Sequence, residues 1–181
     1  SGSTISLDNG SHTFDAGSRI VGSGTFSFDG GTVTISGYYN NTYLTRVAGA
    51  AVTLSSALGK FISAGDSIYV SSGTLNFLNP DTIKVKNLAL AGGTITGSTP
   101  LHVYNSLNWT GGTLSGTDSA LTLTTGSSAL INISGSGAKT LSRRTLINSY
   151  TLTHTGTSFT HSNGAIMINQ TGAAINLAGN N

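Results

Sequence analysis

The feature that most constrains this chain is a unit of about twenty residues that it writes repeatedly. Leu88-Ala89-Leu90-Ala91-Gly92-Gly93-Thr94-Ile95-Thr96-Gly97 returns nineteen positions later as Leu107-Asn108-Trp109-Thr110-Gly111-Gly112-Thr113-Leu114-Ser115-Gly116. Each copy holds two runs of alternating apolar and small polar residues around a Gly-Gly break, the pattern of strand, tight turn and strand. A triplet with an apolar middle and small polar flanks tracks the unit along the chain. It occurs as Thr13-Phe14-Asp15, Thr32-Val33-Thr34, Thr53-Leu54-Ser55, Thr74-Leu75-Asn76, Thr94-Ile95-Thr96, Thr113-Leu114-Ser115, Asn132-Ile133-Ser134 and Thr151-Leu152-Thr153, with Ala174-Ile175-Asn176 as a looser ninth. Successive triplets lie 19 to 23 residues apart, and a sustained period of this length is the mark of a solenoid.

Two further apolar groups keep the same register. Ahead of the triplet come Leu7, Phe26 with Phe28, Val47, Ile68 with Val70, Leu88 with Leu90 and Leu107 with Trp109. After it come Ile20, Phe61, Ile83 with Val85, Leu101 with Val103, Leu121 with Leu123, Leu141 and Phe159. Three short strands per repeat leave no room for a helix. The sequence therefore predicts an all-β fold, a single-stranded parallel β-helix (β-solenoid) with three strands per coil, forming one domain over residues 1–181. About nine coils stacked at ~4.8 Å give a rod roughly 43 Å long. The triplet centres Phe14, Val33, Leu54, Leu75, Ile95, Leu114, Ile133 and Leu152 are expected to form one buried row. Over residues 117–150 the pattern slips, with Gly126 and Ser128 where apolar residues stand elsewhere.

Composition narrows the setting. Charged residues are 8% of the chain, and the six acids are all Asp, against about a quarter charged in an ordinary globular domain. With 37% hydrophobic residues at regular positions, the chain can still bury a continuous core, which a disordered chain cannot. An exported, surface-living protein fits this balance, and the expected localisation is extracellular. The net charge of +2 and pI of 9.0 rest on few groups. Nucleic acid is not an expected partner, since there is no basic stripe to displace counterions from phosphates. Cysteine is absent, which excludes disulfides and thiolate metal sites. No apolar run approaches the ~20 residues of a membrane span. The chain opens on Ser-Gly-Ser without Met, and a cut ahead of it, by natural processing or in preparing the protein, is expected.

Chemistry is sparse. Counted from the triplets, Asp8, Asp15, Asp29, Asp66, Asp81 and Asp118 share no column, whereas sugar cleavage needs two carboxylates close together. His12, His102, His154 and His161 show no metal-ligand spacing and read as solvated surface residues, as do Lys84, Lys86, Arg143 and Arg144. The Gly-Gly-x-Gly-x-Asp calcium repeat is missing. No catalytic residue, cofactor or metal is expected.

Two candidate ligand faces remain. Flanking residues of an inward apolar centre point outward, so Thr13, Thr32, Thr53, Thr74, Thr94, Thr113 and Thr151 are expected in one file. Asp15, Thr34, Ser55, Asn76, Thr96, Ser115, Ser134 and Thr153 run beside it. Such Thr-x-Thr rows resemble ice-binding surfaces; the plainer account is that β-branched Thr favours strands and pairs with itself. Tyr38, Tyr39 and Tyr43 lie in an irregular stretch and suggest a glycan-stacking platform; here the plainer account is a loop over the rod's flank.

The wording of residues 107–157, from Leu-Asn-Trp-Thr-Gly-Gly-Thr-Leu-Ser-Gly through Gly-Ala-Lys-Thr-Leu-Ser-Arg-Arg-Thr-Leu to Leu-Thr-His-Thr-Gly-Thr, resembles repeats of bacterial extracellular β-solenoid proteins of the adhesin and autotransporter-passenger type. The resemblance implies a cell-surface or matrix role. A non-enzymatic structural module of a surface fibre or adhesin stalk is the leading expectation. Ligand binding along the rod comes second, and a carbohydrate-active β-helix enzyme third. The repeat is in phase by Leu7 and still running at Ile175, with no capping element to cover the edges that a solenoid otherwise protects. The expected partner is an identical subunit stacked head to tail, or more of the same chain. Leu7 and Phe14 would then meet Ile168 and Ile175 of the neighbour.

Overall fold

The computed structural model describes residues 2–178, and among them there are twenty-one strands and no helix. All strand pairs are parallel and join each coil to the next, as in Ile95 beside Leu75 and Leu114. The chain is a three-sided β-solenoid. On its first face the strands begin at residues 4, 25, 44, 67, 87, 106, 130, 151 and 174, a period of about 21 residues. The second face runs from Ser11–Phe14 to Phe159–Ser162 and the third from Arg19–Gly22 to Ile166–Asn169. Eight coils and an opening ninth strand result, with slightly longer repeats than the expected twenty. Leu44–Leu54 and Ser67–Phe77 pass from the first face to the second without a break. The third face is interrupted once: Arg19–Gly22, Tyr38–Asn41 and Phe61–Ala64 form their own sheet, ahead of the Asn79-Pro80-Asp81 turn.

Alternation along each strand sends one set of side chains inward, and stacking turns that set into columns. The first face supplies Phe26, Phe28, Val47, Ile68, Val70, Leu88, Leu90, Leu107, Trp109, Ile131 and Ile133, all buried. A ring contact chain crosses the interior from Phe26 to Tyr39 (5.8 Å), Tyr39 to Phe61 (5.5 Å) and Phe61 to Phe77 (6.4 Å). Aromatic pairs at such distances add to the burial of their area. Tyr39 thus fills the third-face column that the sequence pattern left empty in the second coil.

The triplet centres are buried from Val33 to Leu152, and Phe14 is half-buried, but they do not form one row. Val33, Leu75, Ile95 and Leu114 share a second-face column with Val52 and Leu141. Phe14 and Leu54 sit in the adjacent column of that face. Ile133, Leu152 and Ile175 belong to the first face. The cause is corner length. Thr94 pairs with Thr113, nineteen residues on, whereas Thr113 pairs with Thr140, twenty-seven on, so a constant interval in sequence changes face after residue 116.

The corner between the first and second faces is closed by stacked glycines in the regular coils. Gly93 and Gly112 have φ of 66° and 85°, a left-handed conformation that costs glycine nothing. A Cβ at either would lie 2.5 Å from the carbonyl of the glycine one coil before, Gly73 or Gly93. Any other residue would therefore force the coils apart.

Candidate functional site

The second face carries the most regular polar surface. Ladder pairing aligns Ser11, Thr32, Ala51, Thr74, Thr94, Thr113, Thr140 and Thr160 in one outward file. Thr13, Thr34, Thr53, Asn76, Thr96, Ser115, Ser142 and Ser162 align in the other. Thr32, Thr34, Thr94, Thr96, Thr113 and Ser115 therefore fall on one face as expected. Thr74 and Asn76 also stand in their expected files, and the remaining members differ. Thr13 and Thr53 change file, Asp15 and Ser55 lie past the strand ends, and Thr151 and Thr153 stand on the first face. Neither file contains a charged residue.

The tyrosines do not form a platform. Tyr39 points into the core, fully buried, and burial pushes its hydroxyl up to about 12; its hydroxyl hydrogen-bonds Thr45 Oγ1 at 2.9 Å. Parity explains the split, since Tyr38 and Tyr39 are adjacent in a strand and must face opposite ways. Tyr38 lies outside under the Arg19 guanidinium, 4.2 Å from its ring centre, and Tyr43 is exposed at a corner.

Two carboxylates are brought together where separate columns were expected. Asp8 and Asp29 follow paired Leu7 and Phe28, and Ser6 Oγ bonds both. Asp29 also accepts from Ser27 Oγ and pairs with Arg46. The Ser6 hydrogen bond foremost, against some burial, then Ser27 and Arg46, hold the Asp29 carboxyl below its usual range. The signal for this cluster was present: Asp8 and Asp29 are one coil apart in sequence. Among the described residues no group of three His, Cys, Asp or Glu comes together to hold a metal.

Three histidines expected on the surface occupy inward columns at the two ends. His12 and His161 belong to the Val33, Ile95 and Leu141 column, and His154 follows Ile133 on the first face. His12 donates from Nε2 to the Asn9 carbonyl at 2.8 Å, and His154 to that of Thr157 at 2.9 Å. His161 packs edge-on to Phe159, ring centres 4.7 Å apart. His102 faces outward on the third face, its pKa lowered by burial and by Lys84. Two cations are also internal: Arg144, read as surface charge, and Lys139. Arg144 is fully buried, donating to the carbonyls of Ser115, Thr99 and Thr122 at 2.8 to 3.4 Å. Burial brings its pKa down to about 10, opposed by the charge of Asp118. Lys139, also buried, donates to the carbonyls of Ser134 and Gly135 at 3.0 and 2.9 Å.

The end coils leave the core uncovered. At the first coil a cavity of about 250 Å³ opens between Leu7, Phe14, Ile20, Phe26 and Phe28. At the last, Ile175 and Leu177 stand in the inward columns of Leu152 and His154, yet Leu177 is 73% exposed. Ile168 is not part of this end surface. It follows Ile147 on the outside of the third face, and its neighbour Met167 is the residue that stacks below Leu146.

No family model, no curated protein and no solved structure matches the chain.

Proposed function

We propose that this chain is a non-enzymatic structural segment of an extracellular rod, whose two open ends are continued by further solenoid coils of the same kind. The observation that carries this reading is the uncovered apolar interior at both ends, around Leu7 and Phe14 at one and Ile175 and Leu177 at the other. Edge strands with free backbone groups and exposed core invite pairing. A second copy placed below the first can set Thr4–Leu7 against Ala174–Leu177; the second and third faces have eight strands to the first face's nine, so they resume one coil step later. This is a heterologous contact that does not close, and its product is a filament. The low charge and the resemblance to adhesin and autotransporter-passenger repeats support a place at the cell surface.

Sedimentation and electron microscopy of the 181-residue chain test self-stacking. Association that grows with concentration and is lost in Ile175→Asp supports it; a chain that stays monomeric at high concentration removes an identical subunit as the continuing partner.

A second reading is favoured by the hydroxyl files, which pair in register through eight second-face strands without a charge. A surface of this kind can order water, and ice is the ligand it would select. Wild-type protein that fails to inhibit ice recrystallisation ends this reading. If inhibition is seen, Thr94→Lys with Thr96→Lys should abolish it and leave the circular dichroism unchanged.

A further inference from the structure

A number of polar side chains bond within the rod. Asn87 Oδ1 accepts from Ser106 Oγ, Asn132 Nδ2 donates to Asn108 Oδ1, and Asn148 Nδ2 donates to Asn169 Oδ1 and the Ala174 carbonyl. Along the corner from the third face to the first, a groove of about 580 Å³ runs across successive coils from Tyr104 and Asn105, past Gly126, Ser127 and Ser128, to Ser149 and Gln170. Among the described residues the side chains of Asn105, Ser127, Ser128 and Gln170 make no hydrogen bond to protein, so their donors and acceptors are left to whatever fills the groove.

The sequence builds this depression. Gly126 donates its N–H to the Val103 carbonyl at 2.8 Å, and a Cβ on it would come within 3.0 Å of the Tyr104 carbonyl. The small residues Gly126, Ser127, Ser128 and Ser149 thus line the groove between Tyr104 and Gln170. Thr125 Oγ1 ties its coils together by donating to the Ile147 carbonyl at 3.1 Å and accepting from the Ser149 N–H at 3.1 Å. Tyr104 is 42% exposed, yet its ring is held. His102, two residues before it on the same side of the strand, packs edge-on with ring centres 4.5 Å apart.

We propose that this groove binds a neutral glycan, with a sugar ring stacked on Tyr104 and its hydroxyls bonded to Asn105, Ser127, Ser128 and Gln170. A site for an apolar molecule is lined mainly by hydrophobic residues, whereas this one joins a single aromatic face to a cluster of amides and hydroxyls. Tyr, Ser and Asn together supply a rigid amphipathic contact and adaptable hydrogen bonds. No carboxylate or cation lines the groove, and burial disfavours a charge on His102, so an ionic ligand finds no counter-charge. The groove spans three coil steps, about 14 Å, which suits a short linear oligosaccharide lying along the rod axis. The groove reaches the last third-face strand at Gln170 but does not rest on self-stacking.

The test uses the full chain on a printed array of hexose-, N-acetylhexosamine- and uronic-acid-terminated oligosaccharides. Binding to neutral spots is expected. Tyr104→Ala and Gln170→Ala should each weaken it about tenfold or more, with circular dichroism and thermal melt unchanged, while Tyr38→Ala, on another part of the rod, should bind as wild type. A protein that binds no spot overturns the proposal. Binding confined to uronic-acid spots, or retained in full by Tyr104→Ala, also overturns it.

Discussion

Residues 25–77 and residues 112–154 close the same three-sided outline by different means. In the first region the interior is mainly apolar and aromatic, with Phe26, Tyr39, Phe61 and Phe77 in contact across the coils, and its buried polar side chains, Asn41, Thr45 and Ser56 among them, carry no charge. In the second, Lys139, Arg144, Thr145 and Asn148 are buried beside Leu114, Ile131 and Leu141. The difference follows from the corners. A tight corner keeps coil directly over coil, and backbone N–H groups reach the carbonyls before them, as Thr113 reaches Gly93 at 2.9 Å. Where a corner loop lengthens, as between Ile133 and Lys139, its carbonyls are less fully met: that of Gly135 accepts from the Thr157 N–H at 3.2 Å, and that of Ser134 from no backbone amide among the described residues. Leaving such groups unpaired in the interior is costly. Lys139 takes the corner position that Gly112 holds one coil earlier and gives its ammonium to the Ser134 and Gly135 carbonyls. Arg144 does the same for Thr99, Ser115 and Thr122, joining three coils. Thr145 reaches the Ser119 carbonyl at 2.6 Å.

The comparison can be broken or sharpened by substitution. The largest effect is expected from Ile95→Asp, which puts a charge without a partner into the column common to both regions and should cost about 4 kcal/mol or more in denaturant unfolding. Stability within 1 kcal/mol of wild type, on the order of a surface change, would mean the column does not hold the two regions together.

Arg144→Ala should cost about 3 kcal/mol, because three buried carbonyls lose their donor. Arg144→Met separates packing from hydrogen bonding. If it is as stable as wild type, the long-cornered coils need only volume at this point, and the contrast between the regions is one of shape alone. Tyr39→Phe should cost about 1 kcal/mol, since Thr45 Oγ1 keeps its bond to the Ala64 carbonyl and the ring contacts remain.

Acid should have a smaller effect still. The folded-state pKa of Asp29 lies below its unfolded value of 3.8, lowered mainly by Ser6. Its stabilisation is therefore fully present above 3.8 and is lost as pH falls through the folded value. With its side chain 28% exposed, solvent screening limits the gain to under about 1 kcal/mol, and a pH series of melts on wild type and Asp29→Asn should converge at low pH. Excess chelator is expected to leave the melt where it is.

The period, the strand type and the alternation were legible because each is local: two strands and a glycine turn lie within ten residues at 88–97. What could not be read was the face to which a given apolar residue belongs after residue 116, because that depends on accumulated corner length. The burial of Arg144 was hidden for a related reason. Its carbonyl partners lie 22, 29 and 45 residues away in sequence, and nothing near Arg143-Arg144 signals them. Tyr39 and the inward histidines were recoverable in principle, since strand parity separates Tyr38 from Tyr39 and places His12 with Phe14. The groove at Tyr104 has no sequence signature, because its members are joined only by stacking.

The ladders bear on how such a rod would respond to force. Its hydrogen bonds lie along the long axis, and each coil is bonded only to the coils above and below it. A pull on the two chain ends loads the outermost coil alone, which peels before the next one feels the strain. Each coil released frees about 21 residues, or about 70 Å of extended chain. Under tension the molecule would therefore lengthen in even steps from its ends while the coils between keep their shape.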